Sequence, residues 1–254
     1  MRSALVTTVG KAIRRLGTIV GRGSLANFNY DKARAIDYVF SAMNPRARSF
    51  ADLGGVWNVD AAYTFYILGK YAIHAACLVD TDFSSKVLKK SRRYAHLSVL
   101  PANFGDPGVP EQIGPVDVIL LFDILLHQVK PDWDEILELY APFTRAFVIF
   151  NPQFTGSEST VRLLDLGESE YFNNIPHDKD SSLYRSLFEN MYELHPQHHK
   201  LWRDIHNVWQ WGITNSDLRA ELTALGFSEI YHKNCGQFSS LPNFENHAFV
   251  FLKS

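Results

Sequence analysis

Asp52, Asp80, Asn103, Asp123 and Asn151 each end a run of apolar residues. An acid in that position, such as Asp80, can accept hydrogen bonds from both hydroxyls of a ribose. An amide beside a ring, as in Asn103-Phe104, suits the edge and the face of a purine. Asp52 leads into Gly54 and Gly55, where a strand gives way to a helix, and Thr81 follows Asp80. Glycines there let backbone approach a ligand. Yet Val56, Trp57 and Asn58 stand where a G-x-G-x-x-G loop needs its later glycine, and no Gly-Lys-Ser/Thr ending makes a P-loop. Both phosphate-binding readings weaken. An adenosine without phosphates accounts better for the pattern.

The elements that must position these residues alternate. Residues 31–44 carry Ile36, Val39, Phe40 and Met43 at helical spacing, closed off by Pro45. After them come strand "RSFADLGG", helix "NVDAAYTFYILGKY", strand "HAACLVDTD", helix "SSKVLKKSRRY" and strand "HLSVLPANFGD". A loop, "PGVPEQIG", leads to strand "VDVILLFD". A helix, "PDWDEILELYAP", is expected to place its proline in the first turn, and "RAFVIFNPQ" forms the fifth strand. Such alternation implies a parallel sheet covered on both faces, with ligands outside the carboxyl ends of its strands. Residues 152–213 break the rhythm with His, Tyr, Trp, Asn and acids around "SLYRSLFENMYELH", as an insertion lying over that edge would. Alternation returns in "TNSDLRAELTALGF", a helix expected to be capped by Asn215 or Ser216 with Gly226 past its end. Strands "SEIYHKNCGQF" and "HAFVFLKS" then suit an antiparallel pair.

Composition narrows the class. A chain of 254 residues, 46% hydrophobic, can bury a substantial core, and its net charge of −2 gives no basic field for nucleic acid. Cys77 and Cys235 form no CxxC pair and suit a reducing compartment. No apolar run is long enough to span a bilayer, so no integral membrane association is expected. Val9, Ile13, Leu16 and Val20 share one face of a basic N-terminal stretch that reads as an amphipathic helix. The default expectation is a cytoplasmic enzyme.

At this point the chain resembles the class I S-adenosylmethionine-dependent methyltransferases of small-molecule type. "ADLGG" is similar to their first motif, "LVDTD" to the second, "LPANFGD" to the third and "VDVILLFDILLHQ" to the fourth; the last helix and terminal hairpin follow in order. The resemblance runs from about Ser49 to the C-terminus. It implies an α/β, Rossmann-like seven-stranded, mostly parallel sheet with an antiparallel last strand. A helical segment, 1–48, precedes a cofactor-binding core, 49–151; a cap, 152–213, is inserted between strand 5 and the last helix, and 214–254 close a single domain. It implies S-adenosylmethionine as cofactor and a small-molecule acceptor as partner, with a homo-oligomer left open. Asp52, Gly54 and Gly55 fall at the first-motif positions and Asp80 with Thr81 at the ribose. Asn103 and Phe104 fall at the adenine, where an Asp is commoner than Asn. Asp123 stands beside the sulfonium and amino group, or serves only as a helix cap. Trp57 packs on the cofactor or fills a gap between loop and cap.

Histidines supply the candidate bases. His127 matches a His often found just after the fourth strand, and His206 lies where the insertion returns, near Trp209 and Trp211, which can wall a substrate pocket. Each is a base, an orienting residue or part of a cap core. "HPQHHK" at 195–200 has ligand-like density but no companion HExxH pattern, and reads as a surface cluster. "NPQF" at 151–154 resembles the turn with which base-modifying methyltransferases grip an amine, but it follows the fifth strand instead of the fourth. An NAD-dependent oxidoreductase and a noncatalytic binding module on the same fold remain the alternatives.

Overall fold

A computed structural model describes residues 27–206, 208–238 and 241–254. The amphipathic stretch near the N-terminus lies outside them. The chain divides into two compact units. The first runs to Phe122 and takes in Phe143–Val148; the second holds Asp123–Pro142 and Ile149–Ser254.

In the first unit, α1 (Tyr30–Ala42) starts at Asn29, whose side chain accepts from the amides of Asp31 and Lys32. The strands β1 (Ser49–Leu53), β2 (Ala75–Asp80), β3 (Leu97–Pro101) and β4 (Val116–Phe122) follow, with α2 (Ala62–Lys70), α3 (Ser85–Ser91) and α4 (Val109–Ile113) between them. β1 pairs in parallel with β2 on one side and β4 on the other, and β2 with β3. These strands are rich in Val, Leu, Ile and Phe because a parallel sheet is buried on both faces. Asp117 fastens the start of this sheet. It accepts from the amides of Arg48 and Ser49 at 2.8 and 3.0 Å and from the Ser49 hydroxyl at 2.9 Å. The stretch 107–114, expected as loop, contains the short α4. Pro110 falls in its first turn, and Gly114 ends it at φ 72°.

The second unit contains α5 (Trp133–Tyr140), the carboxyl half of β5 (Thr144–Phe154), β6 (Val161–Arg162), α6 (Glu168–Asn173), α7 (Ser182–Glu189), β7 (Trp211–Gly212), α8 (Asn215–Ala224), β8 (Phe227–Gln237) and β9 (Phe244–Lys253). The sheet order is β3-β2-β1-β4-β5-β9-β8, seven strands closed by the antiparallel β8–β9 pair, as expected. This unit has a buried apolar core. Tyr171, Tyr184, Leu187, Val208 and Trp209 pack with Phe154 and Phe244.

Three local expectations change. Pro131 precedes α5 instead of opening it: Asp132 is the N-cap, and the Glu135 carboxylate accepts from its amide at 2.7 Å, a capping box. α8 is capped by Thr214, whose hydroxyl accepts from the Asp217 amide, not by Asn215 or Ser216. Asn151, Pro152 and Gln153 lie within β5, as the fifth-strand reading expects, and the strand runs on through Phe154, so "NPQF" forms no turn. Strand pairing absorbs them, with the Phe154 amide donating to Ile213 O at 2.7 Å. Among the described residues no helix is long and apolar enough to cross a membrane.

Asp117 supplies a test of the sheet's fastening. Burial opposes its ionisation, but the Arg48 and Ser49 donors and the Arg145 guanidinium outweigh that and hold its carboxyl below the ordinary 3.8. A folded pKa below the unfolded one stabilises the fold above the unfolded value, and the gain is lost as pH falls through the folded value. Asp117→Ala is expected to cost about 1–3 kcal/mol at pH 7 by denaturant titration. The deficit shrinks below about pH 4.

Candidate functional site

The loop after β1 carries the first cluster. The β1–β2 ladder continues one residue past the strand, with the Gly54 amide donating to Val79 O at 2.8 Å. Gly54 takes φ 69°, in the left-handed region that favours glycine. The turn into α2 is then completed at Asn58, Asp60 and Ala61, with φ 60°, 50° and 57°. Non-glycine residues seldom adopt that region, and holding them there costs energy that neighbouring contacts must offset. Asn27 donates to Asn58 through its side-chain amide, and Lys86 pairs with Asp60 at 2.6 Å. The loop therefore turns without the missing glycines.

Asp80, at the end of β2, organises the same loop. Its Oδ2 accepts from the Val56 amide at 3.0 Å and its Oδ1 from the Thr81 amide at 2.8 Å. The Ala102 amide donates to Asp80 O at 3.0 Å, which ties the end of β3 to the end of β2. Asn103 follows, its Oδ1 accepting from the Gly105 amide at 3.0 Å in a local turn across Phe104. Asp52, Gly54, Gly55, Asp80 and Thr81 are thus brought together, with Asn103 and Phe104 on the adjoining strand end. Trp57 is not held with them. It is 82% exposed, so among the described residues it fills no gap between loop and cap.

Asp52 is buried beneath the loop and accepts from Thr64 Oγ1 at 2.5 Å. Burial pushes its carboxyl up to about 7; the Thr64 bond lowers it, Asp80 raises it, and Lys32 lowers it. Gly55 is required here for space. A Cβ at that position would lie 2.4 Å from the Asp52 carboxyl. Thr64 and Lys32 were not found from the sequence. A lysine at 32 on the stripe of Ile36 and Val39 was the available signal for one of them.

The second cluster lies in the other unit. Asp123 follows β4 with φ 56°, its amide donating to Phe150 O at 2.8 Å. His127 ends a short 3-10 turn, Leu125–His127, and its Nδ1 donates to Val208 O at 2.9 Å. A carbonyl only accepts, so the proton sits on Nδ1 and the lone pair on Nε2. Burial lowers the His127 pKa, while the Val208 bond and Asp123 raise it. Lys200 Nζ donates to His206 Nε2 at 3.0 Å, which occupies that lone pair. Burial and the Lys200 charge lower the His206 pKa, and the His127 backbone raises it. Both histidines therefore favour the neutral form. His127 has the tautomer of a base.

Trp209 is buried in the apolar core of its unit, its ring edge-on to His127 with centroids 6.3 Å apart, and it packs on Phe238 and Phe244. Trp211 Nε1 donates to Gln128 O at 2.6 Å. Of the histidines at 195–199, His195 is not on the surface. It is buried, its ring tilted against that of Trp202 with centroids 4.1 Å apart, and its Nδ1 accepts from the amides of Gln197 and His198. That makes it the organiser of its loop, while His198 and His199 are exposed.

No family model and no curated protein matches the sequence. Solved structures do match in shape. The 1,6-didemethyltoxoflavin-N1-methyltransferase of Burkholderia thailandensis, solved with 1,6-didemethyltoxoflavin and S-adenosylhomocysteine, superposes with a TM-score of 0.53 at 13% identity over 97% of this chain and 90% of its own. The N-terminal domain of EvdMO1, in the presence of S-adenosylhomocysteine and D-fucose, gives 0.53 at 13% identity over 90% and 84%. The chain has the fold of the class I S-adenosylmethionine-dependent methyltransferases.

Asp52 makes the first cluster testable by pH. A folded pKa raised above the unfolded 3.8 means that the stability it contributes is full below 3.8 and is lost as pH rises through about 7. Asp52→Asn keeps an acceptor for Thr64 and removes the titration. The variant should gain in melting temperature relative to the parent between pH 4 and pH 8, measured by calorimetry. A constant difference across that window would show that Asp52 does not titrate there. Gly55→Ala should lower stability at every pH, because its methyl must displace the Asp52 carboxyl.

Proposed function

We propose that this chain transfers a methyl group from S-adenosylmethionine to an oxygen or nitrogen of a small molecule. The observation that carries the reading is the Asp80 carboxylate, held at the end of β2 by the Val56 and Thr81 amides beside the strand-order reversal at β1 and β4. In open sheets of this kind ligands bind at that reversal. A carboxylate has about four acceptor positions, and two amides leave others for ribose hydroxyls. Gly54 and Gly55 bring backbone close, Asp52 lies beneath the amino-acid end, and Asn103 and Phe104 address adenine by edge and face. The residues present fit the cofactor.

When bound, S-adenosylmethionine supplies a methyl carbon activated by its sulfonium. The chain's part is to hold donor and acceptor in line, which is where most of the rate in such a displacement arises. Asp123 is assigned to the sulfonium and amino end. The cap, 152–213, is assigned the acceptor, since its aromatic and polar content suits a mostly apolar cleft with a few anchors. His127 is the preferred base: its Nδ1 is committed to Val208, so Nε2 takes the acceptor's proton. His206 orients, because Lys200 occupies its Nε2. Trp209 supports the cap core more than it touches the acceptor.

Calorimetric titration tests the cofactor. S-adenosylhomocysteine should bind and NAD should not, and Asp80→Ala should weaken binding by about 1.5–3 kcal/mol. Unchanged affinity in a folded variant removes the ribose assignment, and a preference for NAD makes the chain an oxidoreductase.

Turnover against pH tests the base, once a labelled-donor screen has identified the acceptor. The neutral form of His127 is the active one, so the rate should hold at neutral pH and fall only below the ordinary 6.5, as the ring protonates. His127→Asn should lower turnover roughly 10²–10⁴-fold and abolish that acid limb. His206→Asn should cost less and keep it. The reverse result would transfer the role to His206.

A further inference from the structure

Residues 83–105 hold five of the chain's 25 Lys and Arg and none of its 27 Asp and Glu. A chain of net charge −2 has thus gathered bases on one surface. α3 and the turn after it carry them. Lys89, Arg92 and Arg93 are exposed, and among the described residues no carboxylate pairs with any of the three. Lys86 pairs with Asp60, and Lys90 is half-buried with its Nζ 4.0 Å from the centre of the Phe65 ring. Burial, and then the charges of Lys86 and Arg93, push the Lys90 ammonium down to about 8. Like charges crowd this small surface, and an acidic partner would relieve their repulsion.

Apolar surface lies beside these charges. Leu88, Tyr94, Ala95, Leu97 and Val99, with Arg92, line an open groove of about 450 Å³ between α3 and β3. Leu97 and Val99 share one side of β3, since side chains alternate along a strand. Among the described residues β3 is also the last strand of the sheet, paired in parallel with β2 on one side only. An outer strand presents N–H and C=O groups that an added strand can pair. We propose that this edge docks an extended acidic segment of another protein, with apolar side chains in the groove and carboxylates on Lys89, Arg92 and Arg93. Charge excludes residues 1–26 of the same chain as the occupant, since they hold five bases and no acid. A lipid surface or a polynucleotide would meet the charges but leave the strand edge unpaired. None of the residues assigned to the cofactor lines the groove, so the surface is separate from that site.

Fluorescence anisotropy with two labelled peptides of equal charge separates the possibilities. In one peptide Glu alternates with Leu, and in the other Glu alternates with Ser. The Glu–Leu peptide should bind about tenfold more tightly, since only its side chains fill the groove. Rising salt should weaken both. Lys89→Glu combined with Arg92→Glu should weaken the Glu–Leu peptide by about tenfold or more, because like charges then face each other. Lys89→Gln with Arg92→Gln is the milder pair if reversal disturbs folding, and it should give a smaller loss in the same direction. Hydrogen exchange of the β3 amides should be slowed by the Glu–Leu peptide. Equal binding of the two peptides, indifference to the charge variants, or unslowed β3 amides overturns the proposal. Tighter binding to phosphatidylserine vesicles or to single-stranded RNA also overturns it and assigns the patch to a membrane or a nucleic acid. If no probe binds, the cations are only a solvated face and the proposal fails.

Discussion

The carboxylate of Asp80 is the tie on which the first unit's loops depend. With one oxygen on the Val56 amide and the other on the Thr81 amide, it joins the loop leaving β1 to the loop leaving β2. Hydrogen bonds to an ionised acceptor are the stronger kind, and this pair holds a segment whose backbone opposes it. Asn58, Asp60 and Ala61 all sit in the left-handed region without being glycine. Such a turn persists only where surrounding contacts over-determine it. Asp80, Asn27 and Lys86 supply those contacts from three other parts of the chain.

Beneath the loop, Asp52, Thr64, Gly55 and Lys32 form a compact polar arrangement in an apolar setting. The acid is affordable there because it can be neutral, and because Thr64 donates to it at 2.5 Å. The carboxyl in turn dictates glycine at 55, since any side chain would occupy its volume. One buried group thus fixes the identity of another across a turn.

The second unit positions its histidine by a different route. His127 is oriented by a backbone carbonyl, Val208 O, whose residue belongs to the buried apolar cluster of that unit. Packing of Tyr171, Trp209 and Phe244 therefore sets which imidazole nitrogen carries the proton. A substitution in that core would reach the His127 ring through that carbonyl.

The order and type of the elements were legible in the sequence, because apolar runs punctuated by Gly, Pro and acids follow from how a parallel sheet is buried. So were the acids at strand ends, since a single polar residue closing an apolar run has few other reasons to be there. The cap of α8 at Thr214 and the opening of α5 at Asp132 were not, because adjacent residues of capping type compete and only backbone geometry selects among them. The exposure of Trp57 and the burial of His195 depended on what packs beside them, which residue type does not encode. Thr64, Lys32 and the different hydrogen-bond partners of His127 and His206 were decided by the tertiary structure alone. A hydrogen bond to Asp52, two ring faces around an ammonium and a carbonyl at His127 Nδ1 all join residues distant in sequence, and only the folded chain brings them within bonding distance.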